Sequence, residues 1–111
     1  MRADPKSVLW YLDTYHRGHE RTCSAKKLAS HFHLTDTRRV REAISELRSQ
    51  RHPILATHEG YYIPTSREDA QPGIRFLTQM FKPLRDSYEG AVAGVDEKFG
   101  AQMTLDERGA A

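Results

Sequence analysis

The stretch Leu28-Ala29-Ser30-His31-Phe32-His33-Leu34-Thr35-Asp36-Thr37-Arg38-Arg39-Val40-Arg41-Glu42-Ala43-Ile44-Ser45-Glu46-Leu47-Arg48 reads as two short amphipathic helices joined by a tight turn. Leu28, Ala29 and Phe32 share one face of the first helix. Val40, Ile44 and Leu47, spaced i, i+4 and i+7, share one face of the second. Ser24 supplies a side-chain acceptor for the free N–H groups opening the first helix, and Thr35 or Asp36 does so for the second. Ala29 is small where two such helices cross closely, and Leu34 closes the turn from below. The second helix is studded with arginine: at about 100° per residue, Arg38, Arg41, Ser45 and Arg48 fall in one sector facing away from Val40 and Ile44.

Working outward, Asp4 is placed to cap a preceding helix, with Pro5 at the first helical position where a missing N–H costs nothing. Val8, Leu9, Leu12 and Tyr15 give it a buried stripe, Trp10 lies off that stripe, and Gly18 ends the element. Arg21 to Cys23 is long enough only for a strand edge. After Arg48, His52-Pro53 breaks the helical pattern. Ile54-Leu55-Ala56-Thr57 and Tyr61-Tyr62-Ile63 then read as two short strands, with Gly60 where a hairpin needs a permissive residue. The expected fold class is mainly α with a small β-hairpin.

The 111 residues suit one small domain with an appendage, and 38% hydrophobic with 29% charged residues is the composition of a globular protein. No apolar run approaches the roughly 20 residues of a membrane helix, so no membrane association is expected. One cysteine, Cys23, excludes an internal disulfide and fits a reducing, cytoplasmic setting. The net charge of +2 hides an asymmetry. Arg21, Lys26, Lys27, Arg38, Arg39, Arg41, Arg48 and Arg51 face only Asp36, Glu42 and Glu46, whereas from Arg67 onward acids outnumber bases. Such a concentrated positive field attracts polyanions, although a basic helical face is also found as plain solvated surface.

The order helix, short edge, Lys26-Lys27-Leu28-Ala29, turn, Val40 to Arg48, Pro53-Ile54 and Gly60-Tyr61-Tyr62-Ile63 resembles winged helix-turn-helix domains. It looks most like the amino-terminal domain of biotin repressors and small phage-encoded winged-helix proteins, over Ser7 to Pro64. His33 stands where the turn of that family usually carries glycine. The resemblance implies three helices plus a wing, and a sequence-specific double-stranded DNA-binding protein acting as a small, phage-like transcriptional regulator. Arg38, Arg41, Ser45 and Arg48 are then the expected major-groove residues, reading guanine edges or neighbouring phosphates. Lys26, Lys27 and Thr37 are the expected phosphate contacts, and His58 and Gly60 mark the wing. Since Thr57-His58-Glu59-Gly60 carries no lysine or arginine, only a weak wing contact is expected.

The organisation expected is a domain over residues 4–65, a C-terminal helical extension over 66–99 and a flexible tail over 100–111. Ser66-Arg67-Glu68-Asp69 reads as a helix start, Pro72-Gly73 as a disturbance of it, and Pro83 as a kink near Gln79. Ile74, Leu77, Phe81, Leu84, Tyr88, Ala91 and Val95 alternate spacings of three and four, the seam of a coiled-coil-like helix. Its partner is either the first helix or a second copy. A homodimer is preferred, with Ile74, Leu77, Phe81, Leu84, Tyr88 and Val95 as its contacts, because paired reading helices match palindromic DNA.

His16, His19, Cys23, His31 and His33 do not show zinc-site spacing, so no metal or other cofactor is expected. No enzyme is expected either. Cys23 lacks an orienting third residue, and no glycine loop is built to cradle phosphate. The competing function is a winged-helix adaptor that binds a protein partner in a replication, packaging or transcription assembly.

Overall fold

Asp4 opens α1 (Pro5–Tyr15) as the sequence requires: its Oδ1 accepts the Ser7 N–H at 2.8 Å, and Pro5 occupies the first turn. Val8 and Leu12 are fully buried on its inner face, while Tyr15, expected in the same stripe, is exposed alongside Trp10. In this computed structural model, which describes residues 4–100, the chain continues through α2 (Ala25–His31), α3 (Arg38–Ser49), β1 (Leu55–Thr57), β2 (Gly60–Tyr62) and α4 (Arg67–Phe99). The fold is therefore mainly helical with one two-stranded antiparallel hairpin. The tail assigned to residues 100–111 lies outside the described residues except for Gly100.

Ser24 caps α2 by accepting the Lys27 N–H at 3.1 Å. Both α2 and α3 end on the same device: a residue in the left-handed conformation whose own N–H and the N–H that follows it reach back to the last-turn carbonyls. At α2 this residue is His33 (φ 58), with His33 N–H on Ser30 O and Leu34 N–H on Ala29 O. At α3 it is Arg51 (φ 70), with Arg51 N–H on Arg48 O and His52 N–H on Leu47 O. Pro53 then makes a continued helix impossible. The turn from α2 into α3 is closed at its far end by Asp36, whose Oδ1 accepts the Arg38 N–H at 3.0 Å; Thr37 precedes α3 without a side-chain cap of its own.

The three helices enclose one core of Val8, Leu12, Cys23, Leu28, Ala29, Phe32, Val40, Ala43, Ile44, Leu47, Ile54 and Ile63. Each large aliphatic side chain buried there is worth about 1.5–3 kcal/mol, so this cluster holds the helices together. The hairpin pairs Leu55 with Tyr62, Ala56 with Tyr61 and Thr57 with Gly60. Cys23 pairs with Tyr61 through two 2.8 Å hydrogen bonds, which makes residue 23 the strand edge anticipated there.

The chain divides into two units, Met1–Thr78 and Gln79–Ala111. This boundary lies well inside α4, not at its start, because the first turns of α4 are locked to the hairpin and to the segment after α1. Ser66 Oγ accepts the Asp69 N–H at 3.0 Å. The Asp69 carboxylate accepts the backbone N–H groups of His19 and Thr65 and pairs with His19 Nδ1. The Tyr62 hydroxyl donates to Asp69 O at 2.8 Å and accepts the Gly73 N–H at 3.1 Å. Gly73 marks a close approach, since a Cβ there would sit 2.6 Å from Leu55 Cβ. α4 thus runs unbroken through Pro72 and Gly73 rather than being disturbed by them. The glycine makes room for the hairpin. The Glu68 carbonyl, which Pro72 leaves without its usual N–H, belongs to an exposed residue where water can satisfy it.

The His19–Asp69 pair has a defined pH signature. The hydrogen bond and charge of Asp69 raise the His19 pKa above its ordinary 6.5. The hydrogen bond from His19, with those from the backbone, holds Asp69 down at about 2 against an ordinary 3.8. The histidine contribution is complete below pH 6.5 and fades as pH rises through its raised value. The carboxylate contribution is complete above pH 3.8 and fades as pH falls toward 2. Melting temperatures of the native chain and of Asp69→Asn, measured across pH, should therefore differ most between about pH 4 and 6.5. The gap is expected to narrow on both sides.

Candidate nucleic-acid interface

α3 presents two faces of opposite chemistry. Val40, Ala43, Ile44 and Leu47 are buried, and Arg38, Arg39, Arg41, Glu42, Ser45, Glu46 and Ser49 are exposed. Arg38, Arg41 and Ser45 lie together on the outward sector, as their spacing requires. The Arg38 guanidinium makes one loose ion pair, Nε to Glu42 Oε1 at 3.8 Å, between side chains that are 78% and 68% exposed. Such a pair is worth at most about 1 kcal/mol and is readily exchanged for a stronger anion. Arg39 lies outside the sector defined by the spacing of Arg38, Arg41 and Ser45. It is exposed in the first turn of α3 and adds a third cation near the helix start.

Arg48 stands apart from the other arginines. Its Nε donates to Ile54 O at 2.7 Å, its guanidinium lies 5.9 Å from the centre of the Tyr61 ring, and the residue is half-buried. Loss of solvent draws its pKa down, and Tyr61 opposes this. The reason lies in the helix itself: residues four apart differ by only about 40° around the axis, so Arg48 flanks the buried Ile44. Its side chain turns toward the hairpin and fastens α3 to the segment leading into β1. Arg48→Ala is expected to cost about 1–3 kcal/mol in denaturant unfolding, through a lost charged hydrogen bond and a buried carbonyl left without a donor. Arg41→Ala should stay within about 0.5 kcal/mol of the native value.

Lys26 and Lys27 are exposed on the first turn of α2, and Thr37 is half-buried immediately before α3. At the hairpin tip His58 is exposed, and its ring stands edge-on to Phe76 of α4 with centres 4.7 Å apart. Gly60 is committed to structure, with φ 142 and its Cα pressed against the Cys23 backbone. The tip therefore rests on α4 and carries no lysine or arginine, whereas α2 carries Lys26 and Lys27 and α3 exposes Arg38, Arg39 and Arg41. Of the seam residues, Ile74, Phe81, Leu84, Tyr88 and Val95 are exposed and Leu77 is half-buried.

Three of the histidines considered as metal ligands carry structural contacts. His16 Nδ1 bonds Arg21 O at 2.8 Å, His19 holds Asp69, and His31 stacks on Tyr11 at 3.9 Å. Among the described residues no group of three or more His, Cys, Asp or Glu side chains is placed to share a metal ion, and no helix is long and apolar enough to cross a membrane. Burial pushes the Cys23 thiol pKa up, which removes thiolate character. Comparison of the chain with protein-family models, with characterised proteins and with solved structures gives no significant match.

Proposed function

We propose that this chain binds double-stranded DNA as a winged helix-turn-helix protein and acts as a small, phage-like transcriptional regulator. In this reading α2 and α3 form the helix-turn-helix, the hairpin forms the wing, and α3 enters the major groove. Arg38, Arg41 and Ser45 face base edges, while Lys26, Lys27, Arg39 and the Thr37 hydroxyl meet phosphates. Arg48 belongs to the scaffold rather than to the groove.

The observation that supports this reading best is the arginine face of α3, exposed and held rigid by four buried residues directly behind it. Guanidinium groups suit the task because each offers a planar fork of donors that matches a guanine edge or a phosphate. The shape of the hairpin implies a division of labour. Its tip has no cation and leans on Phe76, so its role is to brace α3 through Ile54 and Tyr61.

Selection of bound sequences from random duplex DNA tests the proposal. Enrichment of a short motif establishes sequence reading. Absence of enrichment at low salt, with the protein folded, transfers the function to a protein-binding adaptor.

A further inference from the structure

We propose that the α4 segment beyond Gln79 pairs with the same segment of a second copy in antiparallel orientation. Within α4 only Gly73 is buried, whereas Phe81, Leu84, Tyr88 and Val95 are 57%, 69%, 44% and 40% exposed. A helical segment carrying Pro83, Gly90 and Gly94 draws too little from intrinsic propensity to persist alone in water. Covering the apolar seam supplies the stability that propensity lacks, and spacings of three and four suit a single partner helix.

Charge and side-chain bulk both select the second copy and its direction. The first part of the segment carries Lys82 and Arg85, and the part that follows carries Asp86, Glu89, Asp96 and Glu97 against the base Lys98. Parallel pairing sets each of these charges beside its own copy, whereas antiparallel pairing about an axis near residue 86 sets Lys82 beside Glu89, and Arg85 beside Asp86, of the other copy. A two-fold axis passing near Asp86 also brings Leu84 against Tyr88 of the second copy, and Phe81 against Ala91. The largest ring then meets the smallest seam residue, next to Gly94, where even an added Cβ would touch nothing within 4 Å. Parallel pairing stacks Phe81 on Phe81 and leaves a void between the two Ala91 residues. This pairing does not depend on the DNA reading.

The test uses the full chain at tens of micromolar in sedimentation velocity. A species of twice 12.7 kDa is expected. Leu84→Glu should convert it to monomer while leaving the near-ultraviolet signal of the first unit intact. Native Cys23 is only 2% exposed, so each introduced cysteine is the one reactive thiol. Ser87→Cys, close to the axis, should form an intermolecular disulfide under mild oxidation. Val95→Cys should not, because about 1.5 Å of rise per residue separates its two copies by about 27 Å. A monomeric native chain, a dimer indifferent to Leu84→Glu, or Val95→Cys cross-linking as readily as Ser87→Cys overturns the proposal.

Discussion

Replacing Arg38 and Arg41 together by alanine is expected to weaken duplex binding by about 100-fold or more, with little change in melting temperature. Both side chains are exposed, and neither supports the core. A bidentate base contact is worth about 1–3 kcal/mol, and a phosphate contact adds its share of released counterions. Loss of both therefore removes about 2–6 kcal/mol, and about 2.8 kcal/mol already corresponds to a factor of 100. The single variants separate the roles. Alanine at a base-reading arginine relaxes the selected motif at one position, whereas alanine at a phosphate-binding one lowers affinity for every sequence and flattens the salt dependence. Fluorescence anisotropy on a selected site and on a scrambled one reads both. Arg48→Ala provides the contrast, since its Nε bond to Ile54 O predicts a loss that shows first in stability.

Gly60→Ala carries the largest expected effect on the fold. At Gly60 φ is 142, a region closed to side chains, and an added Cβ would lie 2.5 Å from both the carbonyl carbon and the oxygen of Cys23 and 2.6 Å from Ser24 N. These are backbone atoms with no freedom to swing aside. Moving them breaks the paired bonds between Cys23 and Tyr61 and shifts Ser24, the cap of α2. A loss of about 3 kcal/mol or more is expected, from strain and overpacking combined. For a domain of this size it lowers the thermal midpoint by on the order of 15 °C. Glu59→Ala, one residue earlier at an exposed position, is the control and should stay within about 0.5 kcal/mol. A Gly60→Ala melt equal to that control contradicts the close packing of the hairpin on residue 23.

The parts of this fold that were legible in the sequence are those set by local chemistry. Asp4 with Pro5, Ser24 ahead of Leu28, and the i, i+4, i+7 spacing of Val40, Ile44 and Leu47 each specify a helix end or a buried face within a few residues. The structure carries all three. What escaped depends on contacts distant in the chain or on residues acting against type. His33 and Arg51 adopt left-handed conformations that glycine normally signals, so neither announces the helix end it makes. Gly73 reads as a helix breaker, yet it serves as the contact point between α4 and the hairpin. Asp69 and His19 are 50 residues apart, and no periodicity connects them. Arg48 could have been separated from its neighbours by its small angular distance from Ile44. Its acceptor, the Ile54 carbonyl, is visible only once the chain has turned back after Pro53.

The account rests on cations displayed by α2 and α3 toward a polyanion, and one titration addresses it most directly. Anisotropy of a labelled duplex of about 20 base pairs, followed from 50 to 200 mM salt, gives the number of phosphates neutralised, at about 0.9 in the log–log slope for each. With Lys26, Lys27 and Arg39 on phosphates, binding at low salt with a slope of about −3 is expected. Failure to bind at 50 mM salt, or binding whose strength does not change with salt, contradicts the claim that this surface is built for DNA.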